Sequence, residues 1–248
     1  MIYVLKQFDM PLLRFSATTD TSEPEIEILW HDPDHADKLP LDLQLTPESL
    51  SKWLRHRTIP KNRAYVHSLL AKCGLNLNRP MSIINVCKAL SLNDCYWVAE
   101  DGDDSSFDKI NLYDNPFSNV LAALAFTGYG SSIRSSMTSS PEFTTNGMLR
   151  KCWRRISGKI YLYKGGTDGA ANAGNEPYSE FYAAQVAQAM GILFSSSPEI
   201  KRSQNALTVS EVQNCTIVCN SSFKWKATNN FANSSAHFFE GRRQYASK

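Results

Sequence analysis

The stretch from Lys159 to Gly191 constrains the path of the chain more tightly than any other part of the sequence. In Lys159-Ile160-Tyr161-Leu162-Tyr163-Lys164, the residues Ile160, Leu162 and Lys164 alternate with Tyr161 and Tyr163, the period of a β-strand. Gly165 and Gly166 end the run, and the loop up to Asn175 is long enough to turn the chain back. A helix then begins near Glu176, with Pro177 in its first turn. It carries Glu180, Phe181, Ala184, Val186, Ala187 and Met190 and stops at Gly191, a residue that tolerates left-handed backbone. A strand, a glycine turn and a returning helix bring Lys164 within salt-bridge reach of Glu180. Glu176, directly before Pro177, reads as a helix cap.

A lysine on a strand and a glutamate on the next helix form the pair that holds ATP phosphates in kinases. The ammonium lies against the phosphates and the carboxylate fixes the direction of the lysine side chain. Upstream, Thr144-Thr145-Asn146-Gly147-Met148-Leu149-Arg150-Lys151-Cys152-Trp153 is expected to form two short strands around a phosphate-covering turn at Gly147. The ATP-binding candidates are therefore Lys164, Glu180 and Gly147. Phosphoryl transfer also needs carboxylates further along the chain, one for Mg²⁺ and one to orient the attacking hydroxyl. No aspartate follows Asp168. Catalytic residues stay unassigned, and the chain is expected to transfer no phosphate by itself. The bland alternative is that a strand, a Gly-rich loop and an amphipathic helix occur in many α/β proteins with other functions.

Residues 1–127 read as a separate mixed domain. Tyr3-Val4-Leu5 and Glu25-Ile26-Glu27-Ile28-Leu29-Trp30 are strand-like, and helices follow. Thr46 with Pro47 marks the start of the first helix, whose Leu50, Trp53 and Leu54 share one face. A second helix is expected over 61–73, closed by Gly74, a third over 81–90 and another over 116–126. Lys52, Arg55, Arg57, Lys61 and Arg63 cluster at the corner between the first two helices, where Pro60 separates them. Such a corner suits either a helix-turn-helix DNA reader or a solvated bend. His31-Asp32-Pro33-Asp34-His35 reads as an acidic surface turn, because Pro33 opposes the helix that would align both histidines on a metal. Asp101, Asp103 and Asp104 lack the glycine and glutamate spacing of a calcium loop.

Gly128 to Ser140 is dominated by Ser and Gly and reads as a connector. After Ile192 the sequence turns rich in Ser and Asn, with Cys215-Thr216-Ile217-Val218-Cys219 its one strand-like run. The formal net charge of +2 over 248 residues favours no polyanionic partner. Six cysteines are widely spread and Met1-Ile2-Tyr3-Val4 has no leader character, so reduced thiols and a cytoplasmic location are expected. No apolar run approaches the roughly 20 residues of a membrane span.

Several short motifs in fixed order carry a resemblance. They are Arg57-Thr58-Ile59-Pro60-Lys61-Asn62-Arg63, Leu90-Ser91-Leu92-Asn93-Asp94-Cys95-Tyr96-Trp97, Asn111-Leu112-Tyr113-Asp114-Asn115, Thr144-Thr145-Asn146-Gly147, Lys164-Gly165-Gly166 and Glu176-Pro177-Tyr178-Ser179-Glu180. From about Tyr3 to Ile192 the chain resembles HipA-like proteins of Firmicutes and their phages, a family similar to the HipA toxin kinases. The resemblance implies a kinase-like fold and phosphorylation of serine or threonine from ATP with Mg²⁺. It also implies that Lys164 is the phosphate lysine, Glu180 its partner and the turn at Gly147 the phosphate cover. The family's catalytic and metal-binding aspartates belong to a C-terminal lobe that has no match here, so a truncated, inactive kinase is expected.

The expected architecture is α+β: an N-terminal mixed domain over 1–127, a Ser-rich connector over 128–141, an incomplete kinase-like small lobe over 142–192 and a poorly ordered tail over 193–248. Expected partners are a protein substrate or an antitoxin-like protein. The alternative function is a non-enzymatic protein- or DNA-binding regulatory module of a toxin-antitoxin or phage system.

Overall fold

The computed structural model describes residues 1–131, 140–167 and 174–191, and the backbone of two strands over 198–203 and 206–213. It is a mixed α+β chain with two antiparallel sheets. The first is built from β1 (Ile2–Gln7), β2 (Met10–Ala17), β3 (Ile26–His31) and β4 (Tyr96–Glu100), in the order β3-β2-β1-β4. β2 is an element the strand pattern did not suggest. It pairs with β1 through a tight hairpin whose Phe8 takes a left-handed φ of 52°. Alternation then sorts the side chains: Tyr3, Leu5, Leu13 and Phe15 face the core, while Arg14 turns outward to pair with Asp101.

Against this sheet pack α1 (Pro47–His56), α2 (Val66–Lys72) and α3 (Pro80–Cys87), which contribute Leu50, Trp53, Leu54, Val66, Leu69, Leu70, Met81 and Ile84 to one apolar cluster. Thr46 caps α1 as its sequence suggests, accepting from the Ser49 amide at 3.2 Å. α2 starts at Val66 rather than Lys61. Tyr65 is left-handed at φ 60°, and the Ala64 amide is drawn across to Met148 O at 2.7 Å, so a tertiary bond takes a donor that an earlier helix start would have used. α3 ends before Leu90 because Lys88 and Ala89 are both left-handed, at φ 51° and 54°.

Beyond β4 come the single turn α4 (Phe107–Ile110) and then α5 (Asn119–Thr127), which ends at Gly128 with φ 76°. A Cβ on Gly128 would lie 2.7 Å from the Tyr65 ring, so glycine is required here for space as well as for backbone.

The second sheet has the order β5-β6-β8-β7, with β5 (Lys151–Ile156), β6 (Lys159–Gly165), β7 (Pro198–Ser203) and β8 (Ala206–Gln213). Ser157 and Gly158, with φ 50° and 77°, close the β5–β6 hairpin in the turn form that matches strand twist. α6 (Glu176–Ala189) connects β6 to β7 and lies against β6, β7 and β8. Its Tyr182, Val186 and Met190, four residues apart, are exposed. The sheet thus extends past Ile192 into the stretch where the sequence suggested an irregular tail. Leu207 and Val209 alternate there with Thr208 and Ser210, a short strand-like period that Val212 does not continue. The Cys215–Cys219 run lies outside the described residues, as does most of the expected connector.

The two sheets share a wall. Tyr96 and Val98 of β4 belong to the first apolar cluster. Cys95, Trp97 and Ala99 point the other way into a second, which also holds Leu112, Tyr113, Trp153, Ile160 and Leu162. Phe143, from just beyond the expected connector, is fully buried in the first cluster. Phe143, Trp153, Ile160 and Leu162 are therefore buried jointly with side chains of residues 1–127. Among the described residues no helix is long and apolar enough to cross a membrane, and Cys73, Cys87, Cys95 and Cys152 are buried.

Candidate functional site

The site forms at the open end of the β5–β6 hairpin, where the ladder pairs Lys151 directly with Lys164. Directly opposed residues share a face of the sheet, and the next pair on that face, Trp153 with Leu162, is in the second apolar cluster. The two ammonium groups therefore stand at the end of an otherwise buried face. Lys164 Nζ donates to Glu180 Oε2 of α6 at 2.9 Å. The strand and helix that the sequence placed around this pair do bring the two side chains together.

Lys151 was not singled out by sequence reasoning. It is largely buried, and its Nζ donates to Asn146 O at 2.8 Å. Burial pushes its pKa down to about 8; the positive charges of Arg63 and Lys164 add to the fall, while Glu180 and Glu142 oppose it. Its place in the site comes from the β5–β6 register, which no local pattern in the sequence announces.

Gly147 is not the tip of a hairpin, as the sequence reading expected. Residues 144–150 form a bent segment without strand pairing, and β5 begins only at Lys151. Gly147 has φ 96°, and a Cβ there would collide with the Lys151 ammonium. Glycine lets this turn close over Lys151 Nζ, so the candidate glycine belongs to the site by a different geometry. The segment is tied instead to the α1–α2 corner, where the Ala64 amide takes Met148 O at 2.7 Å and one side chain binds carbonyls at both of its ends.

That side chain is Arg63. Its Nη1 donates to Glu142 O at 2.6 Å and Thr145 O at 3.4 Å, and its Nη2 to Lys151 O and Glu142 Oε2, both at 2.8 Å. Arg63 and Glu142 are 2% and 1% exposed, a buried ion pair. Burial pushes the Glu142 carboxyl up to about 6 against the pull of Arg63 and of the Trp153 amide, which donates to Oε1 at 2.7 Å. These two residues stand 79 apart in the chain, so no local pattern announces them.

Glu176 does not cap its own helix. It accepts from the Thr167 amide at 3.1 Å and the Thr167 hydroxyl at 2.6 Å, which holds its carboxyl below the ordinary range. This pins the neck of the loop after β6, where Gly166 and Gly174 approach so closely that a Cβ on Gly166 would lie 2.5 Å from Gly174 O.

Other sequence candidates are separated from this cluster. Arg57 pairs through both guanidinium nitrogens with Asp94 and stacks on Trp53 at 4.4 Å, so with Arg63 it is withdrawn from the basic corner that suggested a DNA reader. Asp32 accepts from the Asp34 amide and pairs with His35 Nδ1 at 2.8 Å, a self-contained surface turn. Among the described residues no group of three or more His, Cys, Asp or Glu gathers as for a metal ion.

Chemically, two adjacent lysines, a glycine turn and an orienting glutamate make a cationic platform suited to a polyphosphate. The turn at Gly147 leaves backbone, with no side chain, beside the Lys151 ammonium. No protein-family model matches this chain, and a search of curated proteins finds no match.

Proposed function

We propose that residues 142–191 with β7 and β8 form a kinase-like small lobe of HipA-like type, which holds the phosphates of ATP. The observation that carries this reading is the 2.9 Å ion pair from Lys164 on β6 to Glu180 on α6, the strand-to-helix pair that positions phosphates in protein kinases. Lys164 supplies the phosphate-binding charge and Glu180 holds its direction. Lys151 supplies a second charge beside it, and Gly147 allows the turn to close over that ammonium.

ATP with Mg²⁺ supplies the phosphoryl group in this chemistry, with serine or threonine of a protein as acceptor. This chain carries no aspartate after Asp168 to orient an attacking hydroxyl or to hold the metal. The proposed activity of the chain by itself is therefore nucleotide binding without transfer. Calorimetric titration with ATP tests it: wild type binds and Lys164→Met does not. Failure of the wild type to bind ATP sinks the reading. Labelling of any serine from radiolabelled ATP, lost in Lys164→Met, would overturn the claim that the chain does not transfer phosphate.

A further inference from the structure

We propose that Arg63 is a positioning residue, through which the N-terminal part of the molecule sets the shape of the turn bearing Gly147 and Lys151. The corner between α1 and α2 reaches that turn through four carbonyls. Arg63 takes those of Glu142, Thr145 and Lys151, and the Ala64 amide takes that of Met148 at 2.7 Å. Every third carbonyl from 142 to 151 is thus bound by one short segment of the other half of the chain.

The other bonds to the turn lie at its two ends. Thr145 Oγ1 donates to Pro141 O at 2.5 Å and accepts from Trp153 Nε1 at 2.7 Å, the Gly165 amide donates to Arg150 O at 2.9 Å and Lys151 Nζ donates to Asn146 O, while residues 145–150 belong to no helix or strand. The corner itself is firm: the Arg63 amide bonds Pro60 O at 3.1 Å, and the Val66 amide bonds Arg63 O at 3.2 Å at the start of α2. Glu142 neutralises the guanidinium where it is buried, which lets a charged group serve as a fixed multi-carbonyl clamp. Only arginine presents two planar donor nitrogens in a fork; lysine in its place reaches fewer of these carbonyls. Because the clamp binds Lys151 O directly, a shift at the corner moves the residue that stands against Lys164. Binding at the platform and the state of the α1–α2 corner are then reciprocally coupled.

The experiment uses the full chain and two readouts. The second rests on the phosphate-platform reading and the first does not. In hydrogen exchange followed by mass spectrometry, Arg63→Lys is expected to speed the amides of 144–151 by about tenfold or more, as loss of buried charged hydrogen bonds implies, with β1–β4 unchanged. No change over 144–151, or an equal rise in β1–β4, overturns the positioning role. In the ATP titration, carried out at a temperature where the variant is folded, Arg63→Lys is expected to weaken binding by about tenfold. Affinity equal to wild type overturns the proposal. A wild type that binds no ATP refutes the platform instead, and the exchange readout then decides on Arg63. Should Arg63→Lys fail to fold, Glu142→Gln gives the same two readouts. It keeps the Glu142 backbone carbonyl and an oxygen for the Trp153 amide while removing the countercharge, and the same outcomes support or overturn.

Discussion

Lys151 and Lys164 occupy one directly opposed pair of the β5–β6 ladder, and Glu180 is in hydrogen-bond contact with Lys164. Like charges placed opposite one another across antiparallel strands cost a few tenths of a kcal/mol to about 1 kcal/mol. This arrangement suits a site that receives an anion better than one selected for strand stability.

Replacing Lys151 with methionine separates these two demands. Stability should change by no more than about 1 kcal/mol in either direction, since relief of repulsion offsets the lost bond to Asn146 O. ATP affinity should fall by about tenfold, as for loss of one charge-assisted contact. Parallel calorimetry and thermal melts check both, and unchanged affinity would remove Lys151 from the platform.

The pH dependence follows from the same side chain. Lys151 is pushed from 10.5 down to about 8 in the fold. Between about pH 8 and 10.5 the unfolded chain holds the proton and the folded one does not, so this residue's contribution to stability rises with pH across that window. Phosphate binding needs the ammonium, so ATP affinity should fall as pH climbs through about 8. Titrations from neutral pH upward should show affinity declining in wild type and a flatter profile in Lys151→Met.

Glu180→Gln tests the helix side of the pair. Glu180 is partly exposed, so stability should change by less than about 1 kcal/mol. ATP affinity should drop about threefold to tenfold, because Lys164 loses the carboxylate that directs it. A loss of fold rather than of affinity, seen by circular dichroism, would assign Glu180 a structural role.

Phe143→Ala addresses the shared core. The ring is fully buried among residues of the first cluster, and truncation should cost about 3–5 kcal/mol. Because the two sheets share β4 as a wall, the whole described core should melt earlier in one transition. Two separated transitions, with only the second sheet affected, would mean the segment after 142 folds independently.

The local elements that were legible in the sequence are those whose signals are local. Thr46 before Pro47, the alternation from Ile160 to Lys164, and Gly191 closing α6 each follow from bonding and sterics within one or two turns of chain. The proximity of Lys164 and Glu180 belongs to the same class, since a strand, a short loop and a returning helix leave few other paths. What only the tertiary structure decided involves partners far apart in sequence. Lys151 joined the site through strand register, Gly147 closed over it without a hairpin, and the start of α2 yielded to a bond with Met148. Arg63 looked like one more charge on a basic corner until the fold buried it against Glu142. A buried guanidinium must find both a countercharge and acceptors, and residues 79 apart can supply them only once two sheets have closed on a common wall.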